Sequence, residues 1–436
     1  MQEVGAQPSA SATSEKTFFN LGLFQFLSFV RRGVFYTFMI NYIFGLMPAV
    51  IYTALLGTLD MLASALGQNL LWGRIADRYN LRAKLVIAGE SIAAIAYLIV
   101  FQIHKFLIDS QANFSAGLSL ILGLAILEFF WSMSDVGWAA LLTDVTTAKN
   151  RAGIVGALNF IASLGRMIGI NFAGFLYNDG EGFRQGTIFY IVIAMLCTSA
   201  ALMWVTSRTV QTQNRKAKEP TREEQTAKPS EKSSTQAYKW FLISLIMLVI
   251  GATCVNQVFL LFLRLPNGLN AKDPEVSLIL TAWTLSGMLT SLTCGWLTSR
   301  FGKIKLLFTG FVIAIVTPLL YGLAGDVLTI AAIYGLNGVS FWIMQTIGFA
   351  FAADMIPEDR KGRLFSRYNA VIALGWGPAG FLVGAPLADI QTQRLGLNVH
   401  AAYINTFYAS AIILLLGAIL FTLKVARTGS KKQLNP

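Results

Sequence analysis

The feature that most limits how this chain can fold is a series of long apolar runs, each about as long as one bilayer crossing. Twelve can be read, at approximately 18–44, 48–73, 84–104, 116–142, 152–177, 187–207, 238–262, 276–298, 304–324, 328–352, 363–388 and 401–424. About 20 apolar residues in a helix span the hydrocarbon of a bilayer. The 436 residues are 55% hydrophobic and 13% charged, against about 25% charge in a soluble domain. A soluble enzyme, a disordered segment and a disulfide scaffold are excluded. What is expected is an all-α membrane protein of twelve transmembrane helices with the lipid bilayer as its surroundings. Residues 1–16 are polar and hold Glu3, Glu15 and Lys16. They do not resemble a secretory signal, so the first run is expected to stay as an uncleaved anchor.

Basic residues outnumber acidic ones by 34 to 22, a net charge of +12. That excess does not point to nucleic acid, because it crowds the short connections on one side. Arg74, Arg78, Arg82, Lys84, Lys149, Arg151, Arg300, Lys303, Lys305, Arg360, Lys361, Arg363 and Arg367 lie there, with Lys424, Arg427, Lys431 and Lys432 of the tail. The opposite connections hold only scattered charges such as Lys105, Arg184, Lys272 and Arg394. Basic residues in short loops mark the cytoplasmic side. Both termini and the central linker are therefore expected in the cytoplasm, and the protein in the cytoplasmic (inner) membrane of the cell.

The linker is the polar stretch 209–237, which has no apolar face to bury. It separates a tail of residues 1–17 and a six-helix half, 18–208, from a second six-helix half, 238–424, and a closing tail, 425–436. The halves repeat each other. Gly73 to Lys84 reads GRIADRYNLRAK, and Gly295 to Lys305 reads GWLTSRFGKIK. Asp144 to Asn159 and Asp354 to Asn369 both place Asp and Asn fifteen apart, with Arg151 or Lys361 seven after the Asp. Two pseudo-symmetric halves of six helices are a transporter architecture, with the substrate site near the midplane where they meet.

These segments resemble the major facilitator superfamily, whose signature between the second and third spans is Gly, three residues, Asp, Arg, any residue, Gly and then basic residues. Gly73, Asp77, Arg78, Arg82 and Lys84 follow it, with Asn80 in place of the second Gly. The second-half copy keeps Gly295, Arg300, Gly302, Lys303 and Lys305 and lacks the Asp. The fifth span, with Gly156, Gly165, Gly169 and Gly174, is similar to a glycine-rich motif of the family's proton-coupled exporters. Ile170 stands where proline is usual, and the fourth span has Glu128 in place of the exporters' arginine motif. The resemblance implies a secondary transporter that moves a small organic solute by rocking its halves, with a cavity lined by the first, fourth, seventh and tenth spans. On the residues themselves, Asp77 and Arg78 can pair with the basic loop and with Asp144, or cap a neighbouring helix end, as a latch on the cytoplasmic gate, the competing reading being loop charges that only set orientation. The glycines let helices approach closely.

Ionisable groups within the apolar runs say most about mechanism, because a charge facing lipid costs about 3 kcal/mol on the insertion scale. Counted from the cytoplasmic ends, Arg31 and Arg32 of the first run, Asp60 of the second, Glu128 of the fourth and Arg166 of the fifth all lie roughly 20 Å deep. They form one layer with a net charge of +1. Asp135 and Asn159 form a second layer nearer the cytoplasm, two turns away on the same helix faces. The expected pairs are Glu128 with Arg166, and Asp60 with Arg31 or Arg32. Glu128, Asp60 or Asp135 is expected to bind and release a proton, while a spare arginine attracts an anionic group on the substrate. The family's cavity lining favours Arg31, Arg32, Glu128 and Asp135 over Arg166. Glu90, about six residues into the third run, is placed near the interface.

The second half offers neutral groups instead: Asn256, Gln257, Trp283, Thr284, Asn337, Trp342, Gln345, Asn369 and Trp376. Of these, Asn256, Gln257, Trp342 and Gln345 are the candidate substrate contacts. The competing readings are structural ion pairs for the charges and interhelical bonds for the neutral groups. Neither a metal nor a cofactor is expected. Cys197, Cys254 and Cys294 fall inside apolar runs, and His104 and His400 flank runs without companion ligands. No GxxxxGK[ST] loop points to ATP, and no nucleophile constellation points to an enzyme. A monomer is expected, with a small-molecule substrate and protons as its partners. The alternative function is a transporter-like receptor or assembly protein that binds without transport.

Overall fold

A computed structural model describes residues 10–79, 81–145, 151–214, 233–355 and 361–426, with side chains left out at 10–16, 77, 143–145, 151–153, 155, 209–214, 233–235 and 361–366. The apolar runs become helices because in lipid every backbone N–H and C=O must be satisfied within its own segment. Among the described residues nine helices are long and apolar enough to cross a membrane, and two bent pairs bring the number to eleven. A further column, diluted by Arg31 and Arg32, opens the chain.

In chain order, α1 is Ala10–Tyr36, continued after a break by Met39–Leu46. The next five are α2 Val50–Ala76, α3 Arg82–Asp109, α4 Asn113–Leu142, α5 Gly156–Leu176 with Asn178–Arg184, and α6 Thr187–Arg208. The second half follows with α7 Gln236–Phe262, α8 Asp273–Phe301, α9 Lys303–Leu323, α10 Val327–Met355, α11 Arg367–Trp376 with Gly380–Arg394, and α12 Val399–Ala426.

Packing repeats as the sequence does. In the first half α1 packs on α5 and α6, α3 on α4 and α6, and α2 on α4. In the second half α7 packs on α11 and α12, α9 on α10 and α12, and α8 on α10. Adding six to each helix number turns one set into the other, so the two halves are copies of one six-helix fold. Two seams, α5 against α8 and α2 against α11, join them and are exchanged by the same shift, and Asn256–Phe262 of α7 also meets Met39–Leu46 of α1 and the start of α2.

The contact of α1 with α5 depends on missing side chains. A Cβ on Gly33 would lie 2.9 Å from Gly169 Cα, and one on Gly165 would lie 2.6 Å from the Phe26 carbonyl oxygen. Small residues there let the two backbones touch. Gly174 instead seats Ser277 of α8, while Gly156 faces open space.

The first helix of each half is interrupted, α1 at Thr37 and Phe38 and α7 at Cys254 and Val255. Irregular backbone at membrane depth is tolerated where it borders a cavity. That is where the site lies.

Candidate functional site

Between the halves, at the two breaks, is a cavity of about 190 Å³. Arg32, Tyr36 and Thr37 of α1 and Arg166 of α5 form its first-half wall. Thr253 and Asn256 of α7, Trp283 and Thr284 of α8, Tyr334, Asn337 and Phe341 of α10 and Trp376 of α11 form the other. The first, seventh and tenth helices line it as the resemblance implied, but the fourth does not. The preference for Glu128 and Asp135 over Arg166 is thereby corrected, because Arg166 is on the wall and the carboxylates are not. Protein surrounds Arg166 at this depth, yet its side chain is exposed to the cavity. Its guanidinium lies 5.8 Å from the Trp283 ring centroid. Trp283 Nε1–H donates to Asn337 Oδ1 at 3.1 Å, and Asn337 Nδ2 donates to Thr317 Oγ1 at 3.3 Å, which fixes the aromatic platform opposite the arginine.

The pairs behind this wall differ from those expected. Arg32 pairs with Asp135, Nη2 to Oδ1 at 3.3 Å, with its guanidinium carbon 4.5 Å from the Trp131 ring centroid. Arg31 is turned away by the roughly 100° between successive helical residues. It is 1% exposed and stacks on Trp131 at 4.1 Å, and its guanidinium nitrogens find no hydrogen-bond partner. Among the described residues Glu128 forms no ion pair with Arg166, and α4 packs chiefly on α2 and α3 whereas α5 packs chiefly on α1 and α8. Glu128 is half-buried beside Ser64, Arg31, Arg32 and Asp135. Asp60 is buried near Glu128, with Oδ1 lacking a hydrogen-bond partner. Among the described residues it forms no ion pair with either α1 arginine.

Glu90 also differs from its expected place. It is fully buried, and its Oε1 accepts from Trp131 Nε1 and Ser134 Oγ, both at 2.8 Å. With Glu90 and Asp135 counted, the layer holds three arginines and four carboxylates, which reverses the sign expected from the sequence. The charge is sorted by position: two arginines face the cavity, and the carboxylates stand behind them.

The remaining candidates scatter. Gln257 is buried in a seam, where Gly57 of α2 and Gly380 of α11 approach it. Trp342 fits against Gly287 of α8, and Gln345 lines an apolar pocket next to the cavity. In the gate motif, Gly73 sits on a helix close to the Gln68 carbonyl, and Arg78 is exposed with its guanidinium 5.5 Å from the Tyr79 ring. Arg82 is half-buried. The side chains of Asp77 and Asp144, with Asn80, Lys149 and Arg360, lie outside the described residues. The second-half copy is visible: Lys303 Nζ meets Asp354 Oδ2 at 2.5 Å.

One group of residues that join the halves escaped the sequence reading. On the side away from the chain termini the halves are fastened together. Asp389 of α11 accepts from the backbone N–H of Val50 at 3.0 Å and of Ile51 at 2.8 Å. These are the first residues of α2, and the residue before them, Ala49, has no side chain able to cap a helix. Arg264 pairs with Asp273 and, at 3.5 Å, with Asp179 across the other seam. Asn171 Nδ2 donates to Thr281 Oγ1 at 2.7 Å, and Thr58 Oγ1 donates to the Gly377 carbonyl at 3.2 Å. Among the described residues, the hydrogen bonds and ion pairs that join the halves lie at the midplane or on this far side. The one available signal was Ala49, a helix start with no cap of its own.

This duplicated fold around an interhalf cavity agrees with the family model for the Major Facilitator Superfamily, which matches residues 21–266 and 256–435. The chain belongs to the Major Facilitator Superfamily. Multidrug resistance protein 2 of Bacillus subtilis (strain 168) is 24% identical over 340 residues, covering 76% of this chain and 77% of that protein. The synaptic vesicular amine transporter of Bos taurus is 27% identical over 164 residues, 37% of this chain and 30% of that one. Among solved structures, a bacterial homolog of the human lysosomal transporter Spinster, inward-facing and occupied, superposes with a TM-score of 0.67 at 15% identity, over 96% of this chain and 97% of that one. The nucleoside transporter NupG gives 0.67 at 16% identity, over 94% and 100%. This superfamily member therefore shares its whole fold with transporters, and the structural likeness speaks for the fold alone.

Proposed function

We propose that the protein is a secondary active transporter that moves a small organic solute bearing an anionic group, by alternating access and coupled to protons. It sits in the cytoplasmic membrane with both termini and residues 209–237 in the cytoplasm. The cavity carries this reading: both halves build it, Arg32 and Arg166 are on its wall, and no carboxylate is among its lining residues. A guanidinium at membrane depth without a counter-charge is costly. Among the described residues no carboxylate pairs with Arg166, and a carboxylate or phosphate on the solute supplies the missing partner with the planar geometry a guanidinium prefers. The amine and multidrug names belong to the relatives. A cationic solute would call for a carboxylate on the wall, where this chain has arginines.

Coupling is read from Arg32, which faces the cavity and also holds Asp135. A solute anion drawn to Arg32 weakens its hold on Asp135, which stands next to Glu128. A proton taken up by Asp135, Glu128 or Asp60 then restores the local balance, so solute and proton bind together. With the fastened seams facing outward, the state is inward-facing.

The test is accumulation of a labelled organic anion in sealed vesicles under an imposed proton gradient. Accumulation should vanish when the gradient is dissipated and in Arg166→Gln. Binding without accumulation would mark a receptor instead. Accumulation indifferent to the gradient, with Glu128→Gln fully active, would remove the proton from the scheme.

A further inference from the structure

The cavity continues into a second space that the transport reading leaves unused. Ala252, Phe341 and Trp376 line both. Past them a void of about 30 Å³ runs within the second half, walled by Leu245 and Leu248 of α7, Phe311 of α9, and Met344 and Gly348 of α10. From Ala252 to Phe241 along α7 the lining extends roughly 16 Å from the cavity, at 1.5 Å per residue. Apart from Gln345 and the Trp376 indole, its side chains are hydrocarbon or thioether. An apolar void stays dry and forfeits dispersion contacts on its empty side. Met344 is half-buried beside it, and its unbranched side chain can swing aside to enlarge the space.

We infer that this void receives the apolar tail of the transported solute. The substrate class is then an amphipathic organic anion, with its head at Arg166 and Arg32 and an alkyl or aryl tail passing Phe341 and Trp376 into the second half. The inference rests on the anion reading of the cavity. A fully polar solute would leave the void empty, and a fully apolar one would leave Arg166 desolvated without a partner. A molecule with both parts satisfies both walls, and the shared neck residues put the two parts within reach of each other. The division of labour also follows the asymmetry of the halves, with charge in the first and hydrocarbon in the second.

Gly348 gives access to the void without disturbing the fold, because a Cβ there would meet only Tyr368 Oη, at 3.7 Å. Protein in lipid nanodiscs is titrated calorimetrically with unbranched carboxylates from butanoate to decanoate. In the wild type, affinity should rise by up to about fourfold per methylene and level off once the void is filled. In Gly348→Leu the ratio of octanoate to butanoate affinity should collapse toward one. Gly348→Ala, which adds a single methyl and serves if the leucine variant does not fold, should bring the plateau on about one methylene earlier. Partition into the bilayer is common to all these proteins, so the difference between them reports the void. Equal chain-length dependence in wild type and both glycine variants, with Arg166→Gln still weakening every carboxylate, would overturn the tail subsite and leave the anion reading standing. No Arg166-dependent binding at any chain length would overturn the anion reading, and the tail subsite with it.

Discussion

Removing the Asp389 carboxylate should unlatch the far side of the protein by an amount that can be worked out in advance. Helix α2 begins with two N–H groups that the preceding residue, Ala49, does not cap, and Asp389 accepts both from the opposite half, at 3.0 and 2.8 Å. Loss of an N-cap costs about 1 kcal/mol, and loss of a negative charge at a helix N-terminus adds about 0.3–1 kcal/mol. Both are lost only in the state with the far side closed, because rocking the halves apart separates α2 from α11. Asp389→Ala should therefore shift the equilibrium toward the opposite state by roughly 1.3–2 kcal/mol, a factor of about 10 to 30. Thr58 reports the shift: it is 7% exposed and bonded across the same seam, so Thr58→Cys reacts with an impermeant thiol reagent from the far side only when that seam opens. Cys197, the exposed native thiol, is first replaced by Ala. Labelling should accelerate about 10- to 30-fold in Asp389→Ala and less in Asp389→Asn, which keeps one acceptor oxygen but loses the charge. An unchanged or slower rate would refute the latch and the assignment of the closed side.

Arg166→Gln should weaken binding of an organic anion by about 10- to 100-fold, the loss of one charge-assisted hydrogen bond worth ~1.5–3 kcal/mol, measured calorimetrically; an unaltered Kd would place the anion elsewhere. Glu90→Leu removes the acceptor of both Trp131 Nε1 and Ser134 Oγ. Two buried donors left unpaired at about 1–3 kcal/mol each should lower the thermal unfolding temperature by several degrees, and an unshifted transition would contradict the burial. Gly169→Val sets a side chain against the Val30 backbone of α1 and should abolish the folded, monodisperse protein in detergent, whereas Gly156→Val, which meets open space, should leave the elution profile unchanged. Lys303→Ala breaks an ion pair whose partners are 33% and 57% exposed, and at well under ~1 kcal/mol it should not shift the melting curve.

The architecture was legible because membrane physics leaves few options. A run of about 20 apolar residues has one stable solution in lipid. The matching spacings of Asp144 to Asn159 and Asp354 to Asn369 revealed the duplication that the packing of α1 to α6 and α7 to α12 reproduces. The layer of Arg31, Arg32, Asp60, Glu128 and Arg166 was legible for the same reason, since rise per residue converts sequence position directly to depth. What depth does not contain is which columns are neighbours. Glu128 and Arg166 stand on consecutive helices, yet the main packing partners of α4 are α2 and α3 and those of α5 are α1 and α8. Asp389 was hidden for a further reason: its partners are backbone N–H groups, which leave no mark on the amino-acid sequence beyond the uncapped start at Ala49.

Rotation about the helix axis is the other missing coordinate, and Arg31 and Arg32 show what it decides. Neighbouring residues of a helix diverge by about 100°, and here that turn sends the two adjacent arginines to different surroundings. Arg32 is on the wall, while Arg31 lies against Trp131 inside the first half. A net charge summed over a layer therefore says little about what a solute meets. Here the layer counts three arginines against four carboxylates, and an argument from that sum would select a cation. The wall itself holds Arg32 and Arg166 with Trp283 opposite, and the carboxylates are screened behind α1. At membrane depth, where the effective dielectric is low, charges interact more strongly at a given distance than in water, so the hidden carboxylates still bear on the site. They act through Arg32, which alone among these charges is both on the cavity wall and ion-paired to the acidic cluster behind it. On the proposed coupling scheme, that arrangement makes Arg32, rather than any single carboxylate, the residue that would link solute binding to protonation.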